Sequence, residues 1–212
     1  MSADRAWPDW LKAELTDAGL ERAQLGALID AALAEDLDGG VDVTTVATVP
    51  LDQRATLDLV ARASGVSAGA SVAAAVFAEV CGDDAVIEIR TPDGTSLAPG
   101  AVIVSVTGRT HDLLRAERPA LNLLGHLSGV ATATRRWVDA VDGTGARIRD
   151  TRKTTPAMRR LEKYAVRCGG GMNHRMSLSD AALVKDNHVV AAGGVAEAFS
   201  LVRERFPGVD IE

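Results

Sequence analysis

Apolar positions recur at helical spacing between Glu21 and Leu37, where Leu25, Leu28, Ile29, Ala32 and Leu33 share one face, and Gly39-Gly40 closes the run. Arg54 to Arg62 and Ala85 to Arg90 alternate as half-buried strands do. Ala70 to Val80 is a run of small apolar residues that predicts a buried helix. Thr91-Pro92-Asp93-Gly94 and Ala98-Pro99-Gly100 predict turns, and Ala101 to Val106 a further strand. The first half thus reads as a mixed α/β unit without an evident catalytic cluster.

Near Asp112 the pattern changes. A long helical stretch runs to about Val141, with Pro119 expected at a start or kink. Strands and helices then alternate: strand Arg147 to Asp150, helix Pro156 to Val166, strand Ala182 to Lys185, helix Gly194 to Phe206, strand Val209 to Ile211. Such alternation predicts a parallel sheet or barrel. Polar residues follow the strands: Arg152 and Lys153, then Lys185, Asp186 and His188, then Glu212. βα barrels place their chemistry there. A whole barrel takes about 250 residues, and roughly a hundred follow Asp112. The expectation is an N-terminal α/β sandwich over residues 1–112 and an incomplete, TIM-like βα barrel over 113–212, cut short at the C-terminus.

Charge sharpens this picture. The chain has 212 residues and a net charge of -6. The window Arg147 to Arg175 holds nine basic residues against two acidic ones, a net +7, and the remainder holds 14 against 27, a net -13. A positive island in a negative protein suits a small polyanion and suits long nucleic acid poorly. Aromatic residues make up only 3% of the chain, which also argues against base stacking. No apolar run reaches the length of a membrane span, and the N-terminal residues lack the basic-then-apolar pattern of a secretory leader. Cys81 and Cys168 lie too far apart for a zinc pair or a disulfide framework, so a reduced, cytoplasmic protein is expected.

Four strings carry candidate chemistry. Asp150-Thr151-Arg152-Lys153-Thr154-Thr155-Pro156 sets two cations among hydroxyls at a helix start, which favours an anion. A solvated basic loop is the competing reading. Gly169-Gly170-Gly171-Met172-Asn173-His174-Arg175 combines a run that turns sharply or lets the backbone approach a ligand with a His-Arg pair. Leu183-Val184-Lys185-Asp186-Asn187-His188 ends an apolar strand on a lysine, with a salt bridge to Asp186 or Asp180 as the plain alternative. Glu117-Arg118 and Asn122 share a helix face, followed by Ser128-Gly129. No P-loop, GxGxxG or nucleophile elbow is present.

Read together with Ala34-Glu35-Asp36-Leu37 and Asp42-Val43-Thr44-Thr45, these strings resemble the quinolinate phosphoribosyltransferase (nicotinate-nucleotide pyrophosphorylase, carboxylating) family, in family order along nearly the whole chain. The chain departs from the family at Ala157 and Ser177, where Gly is usual, and at Val41, where a Gly usually precedes the Asp-Val-Thr run. The resemblance implies phosphoribosyl transfer to quinolinate with decarboxylation, in NAD biosynthesis. The alternatives are a nicotinate-type transferase without decarboxylation and a non-catalytic, molybdenum-associated anion binder. It further implies a dicarboxylate pocket of Arg118, Thr151, Arg152, Lys153, His174, Arg175 and Lys185, with Lys153 and Lys185 also catalytic. Mg²⁺ bound with the pyrophosphate is implied, as is a homodimer in which Arg118 enters the neighbouring subunit's pocket.

Overall fold

A computed structural model describes residues 7–212. Helices α1 (Asp9–Asp17) and α2 (Arg22–Leu37) bury Leu11, Leu15, Leu25 and Ile29. The buried Trp7 beside them donates its indole N–H to Glu79 at 2.8 Å. The short helix α3 (Val43–Thr48) is N-capped by Asp42, whose carboxylate accepts from the Thr45 amide at 3.0 Å.

Strands β1 (Arg54–Val60), β3 (Val86–Ile89) and β5 (Val102–Arg109) form an antiparallel sheet in the order β1-β5-β3. Leu57 of β1 and Ile87 of β3 both face Val106 of β5. The central strand is buried almost continuously, whereas β1 and β3 alternate. Edge position explains the difference, since only β5 has a neighbour on both sides. A second, two-stranded sheet pairs β2 (Gly65–Val66) with β4 (Ser96–Leu97).

Helix α4 (Ala70–Cys81) is buried on nearly every face. Its small side chains let the sheet approach on one side and helix α5 (Thr110–Ala140) on the other. Helix α5 runs through the buried Pro119, so the helix does not start there: it begins nine residues earlier. Ser128 and Thr132 on α5 bind the 65–69 segment. Thr132 Oγ1 accepts from the Val66 amide at 2.9 Å, and Ser128 Oγ accepts from the Ala68 amide at 3.2 Å. A Cβ at Gly65 would lie 2.6 Å from that threonine oxygen.

The second half alternates extended segments with helices α6 (Arg159–Cys168), α7 (Asp186–Ala192) and α8 (Val195–Arg205). Two differences from the sequence reading stand out. The expected helix start at Pro156 gives way to a turn, with Ala157 in the left-handed region (φ 64°), and α6 begins at Arg159. The expected strands at 147–150, 182–185 and 209–211 form only isolated parallel bridges, Arg149 with Met172 and Ala182 with Ile211. The parallel sense is as expected for βα units, and each pair is joined through helix.

Asp93, in the turn between β3 and β4, ties the two halves together. Its carboxylate accepts from the Gly69 and Ala70 amides at 2.9 and 3.0 Å, capping α4, and from Ser67 Oγ at 3.1 Å. It also accepts from the Tyr164 hydroxyl of α6 at 2.8 Å. Burial, and then the Asp93 charge, raise the Tyr164 pKa, so the phenol stays protonated and donates. Asp93→Ala removes a helix cap and leaves several donors unsatisfied, and should destabilise the fold by about 2–4 kcal/mol in urea unfolding. A loss under about 1 kcal/mol would show that Asp93 does not join the halves.

Candidate active site

Two pairs of extended segments, parallel within each pair, are each followed at once by polar residues. Ile148–Asp150 lead to Thr151, Arg152 and Lys153. Met172, bridged to Arg149, leads to Asn173, His174 and Arg175. Ala182–Val184 lead to Lys185, and Ile211, bridged to Ala182, leads to Glu212. Backbone bonds fix the register: the Asp150 amide donates to Met172 O at 3.1 Å and the Val184 amide to Glu212 O at 2.8 Å. The chemistry thus gathers at the C-terminal ends of parallel segments.

Asp150 organises this end. Its carboxylate pairs with Lys163 Nζ, accepts from the His174 amide at 2.8 Å, and accepts from Asn173 Nδ2 at 2.6 Å. Lys163 Nζ also donates to His174 O at 3.0 Å, and the lysine has no exposed surface. A buried ammonium is tolerable only with an anion and further acceptors around it, and this one has both. The cluster locks the ends of two segments together just before Arg152 and just before Arg175.

Arg152, Arg175, Lys185 and His188 line one cavity of about 590 Å³. Its far wall is apolar, made by Leu183, Val184, Ala198, Leu201 and Val202 among others. Arg152 Nε is buried, and no protein group among the described residues accepts its proton. A buried guanidinium N–H without an acceptor is costly in a finished core and natural in a site for an anion. Arg175 is oriented from one side, through Nη1 to Ala181 O at 2.7 Å. Lys185 is exposed and, among the described residues, pairs with no acid, so the salt bridge to Asp186 or Asp180 is absent. Its amide donates to His188 Nδ1 at 3.0 Å, which supports the lysine from its own helix. Asp180 instead accepts from the Met176 and Ser177 amides at 2.6 and 3.1 Å.

The remaining predicted residues sit around this cavity rather than in its wall. Thr151 Oγ1 accepts from the Lys153 amide at 3.0 Å, and both side chains are exposed. His174 Nε2 lies 2.9 Å from Glu212 Oε1. That hydrogen bond holds the Glu212 carboxyl below its ordinary value, with burial opposing. Arg118 is exposed on α5, on the same face as Asn122, and does not line the cavity of its own chain.

The glycine run works differently from the ligand approach considered for it. A Cβ on Gly169 would lie 2.4 Å from Ala131 O, and one on Gly171 would lie 2.8 Å from Thr134 and Val166 carbons. Gly169 and Gly171 are crowded by α5 and α6, Gly170 turns the chain at φ 88°, and Arg135 Nε donates to Gly169 O at 3.0 Å. At Cys168, burial and then Asp93 push the thiol up to about 11, where it is protonated at neutral pH. Among the described residues, no group of three or more His, Cys, Asp or Glu is placed to hold a metal ion.

Sequence and structure comparisons place these features. Residues 42–128 match the model for the N-terminal domain of quinolinate phosphoribosyl transferase, and residues 130–212 match that for its C-terminal domain. The chain is 39% identical to the NadC structure from Streptococcus pyogenes, with TM-score 0.84, covering 91% of this chain and 68% of that one. The nicotinate-nucleotide pyrophosphorylase structure from Francisella tularensis aligns at 34% identity and TM-score 0.83, covering 91% and 68%. The chain belongs to the quinolinate phosphoribosyltransferase family.

Among curated members of the quinolinate phosphoribosyltransferase family, the carboxylating nicotinate-nucleotide pyrophosphorylase of Mycobacterium leprae is 51% identical over 182 residues, which are 85% of this chain and 64% of that protein. The chain spans about six-tenths of the length of that relative and of the Synechocystis one. Ala157, where the resemblance led to the expectation of a Gly, has an unusual backbone conformation. The residue occupies a left-handed conformation (φ 64°) that costs a non-glycine residue about 1–2 kcal/mol.

Seven of the nine basic residues of the +7 island fall into two groups. Lys163 is buried in the Asp150 cluster, Arg160 pairs with Glu21 at 3.1 Å, Arg167 binds Ala18 O and Asn173, and Arg159 donates to Thr154 and Met176 O. These four are framework. Arg152, Lys153 and Arg175 keep donors for a ligand. The reading of the whole island as counter-charge is corrected accordingly. Lys163→Met leaves Asp150 buried without its ion and should destabilise the protein by about 3–5 kcal/mol in chemical denaturation. A variant as stable as the parent would remove the cluster from its organising place.

Proposed function

We propose that this chain carries the substrate pocket of an enzyme transferring a phosphoribosyl group from phosphoribosyl pyrophosphate to quinolinate, yielding nicotinate mononucleotide, CO₂ and pyrophosphate in NAD biosynthesis. The observation that carries the reading is the convergence of Arg152, Arg175 and Lys185 on one cavity, with the Arg152 Nε proton buried and unclaimed. Quinolinate presents two adjacent carboxylates on a flat apolar ring. Three cations facing an apolar wall match both halves of that molecule, and nicotinate would leave part of this charge without a partner.

The chemistry asks mainly for positioning and charge. The ring nitrogen bonds to the anomeric carbon as the bond to pyrophosphate breaks, its electron pair leaving with the pyrophosphate. The resulting pyridinium withdraws electrons, so the adjacent carboxylate departs as CO₂ and a proton takes its place. Arg152 and Arg175 hold the carboxylates, with Thr151 and His174 shaping the rim. Lys153 and Lys185 stand at the reacting end and balance the negative charge that develops there. Mg²⁺ belongs to the pyrophosphate substrate in this reading, which suits an ion that prefers phosphate oxygens and water to an all-protein cage. The cytoplasm is the proposed location, supported by two cysteines that form no disulfide.

Titration calorimetry tests the pocket. Quinolinate should bind far more tightly than nicotinate, and Arg152→Ala and Arg175→Ala should each weaken it by roughly 1.5–3 kcal/mol, the scale of one charged hydrogen bond. Parental affinity in both variants would refute the assignment.

The homodimer is part of the same proposal. Arg118 is exposed on a rigid helix and has no place in its own cavity, which supports a role in a neighbouring subunit. A charge reversal at Arg118 should abolish activity in the homodimer. Mixing it with Arg152→Ala protein should restore part of that activity through heterodimers with one intact site. No recovery in verified heterodimers would place Arg118 outside the shared site.

A further inference from the structure

The loop that carries Arg152 and Lys153 has no regular structure of its own. Of its side-chain bonds, one is internal to the loop and one reaches Arg159 at the start of α6, whose Nη1 also donates to Met176 O at 3.3 Å. Thr151 Oγ1 binds the Lys153 amide, and Arg159 Nε donates to Thr154 Oγ1 at 3.1 Å. The third is different. Glu162, in the first turn of α6, accepts from the Thr155 amide through Oε2 at 3.2 Å. Its other oxygen, Oε1, accepts from Nε2 of His126 on α5 at 2.9 Å. One carboxylate therefore joins the basic loop to a helix far away in sequence.

The carboxylate is well placed for that work. Only 13% of the Glu162 side chain is exposed, against 40% of His126. Burial alone would push its carboxyl up. The bonds from Thr155 and His126 outweigh this and hold it below its ordinary value, so it stays an anion. Charge-assisted bonds to a largely buried anion are stronger and more directional than neutral ones. Helix α5 is also the longest helix among the described residues, and it packs on α4.

We propose that Glu162 is a positioning residue, latching the Arg152-Lys153 loop to α5 through the Thr155 amide and the His126 ring. Its effect on ligand binding rests on the substrate pocket proposed above, whereas the latch itself does not. Glu162 touches no ligand: it sets where the two cations stand relative to Arg175 and Lys185. A loose loop would spend binding energy on ordering those cations when the ligand arrives.

Two readouts test this together: amide hydrogen exchange at Thr155 by NMR, and quinolinate affinity by calorimetry. Glu162→Ala should raise exchange at Thr155 about tenfold or more and weaken quinolinate about tenfold, with exchange in α4 and β5 unchanged. Glu162→Gln keeps an acceptor for the amide and should return both values to within about threefold of the parent. His126→Ala, at an exposed ring, should give the same pattern at about threefold, and it decides the matter if Glu162→Ala does not fold. Parental exchange at Thr155 in the alanine variants would overturn the latch. Equal loss of affinity in Glu162→Ala and Glu162→Gln with unchanged exchange would overturn it as well, by pointing to a direct charge effect. A parent chain that binds no quinolinate would defeat the substrate reading, while the exchange measurements would still decide the latch.

Discussion

An ammonium group without solvent must be surrounded by acceptors, and the way Lys163 meets that demand sets the geometry of everything near it. Its partners are the Asp150 carboxylate and His174 O, which come from two different extended segments. Asp150 in turn takes the His174 amide and the Asn173 amide group. A pair of this kind adds little net stability compared with an apolar replacement, but it admits one arrangement only. The residues that follow it, Arg152 on one segment and Arg175 on the next, inherit that arrangement. The segment ends that lead to them are joined by a salt bridge whose two residues are not among those lining the cavity.

The second constraint is steric and comes from α5. This helix lies against α4 on one side and against the glycine run on the other. Gly169 and Gly171 have no room for a Cβ, and Gly65 meets Thr132 in the same way at the helix's contact with β2. Close approach brings backbone polar groups within reach, so Ser128, Thr132 and Arg135 all bond to main chain across the contact. Helix α5 thus serves as a common reference for both halves, and the Asp93 cluster repeats the connection from the other side through Tyr164.

Much of this was legible in the sequence because it depends on local pattern. The periodicity at 21–37, the small-residue run at 70–80 and the alternation at 54–62 each produced the element they predict, since each segment's burial matches its own spacing. The cation strings were partly legible for a similar reason: Arg152 and Lys185 follow segments read as strands, Arg175 follows a glycine run, and all three line one cavity. Long-range pairings were not legible. Asp93 looked like an ordinary turn residue, because its partners at 67–70 and 164 lie far off in sequence. Lys163 looked like one more cation of the island. The only local hint to the contrary is that it lies between Leu161 and Ala165, both buried on α6. The helix α7 directly after Lys185 was also missed, since seven residues are too few to show a period.

The division of the basic island explains why so much positive charge is placed in one stretch. Ligand cations crowded together repel one another and favour an open, solvated loop. Framework cations offset this only when each has its own acceptor, as Arg159, Arg160, Lys163 and Arg167 do. They tie the segments on either side of Arg152 and Arg175 to the end of α1, the start of α2 and the ends of the parallel segments. The ligand-facing cations are then held near one another by neighbours of the same sign whose charge is already satisfied. In the proposed reading a site built this way is preorganised for a dianion, and the buried Nε of Arg152, which has no acceptor among the described residues, is the feature that supports it most directly.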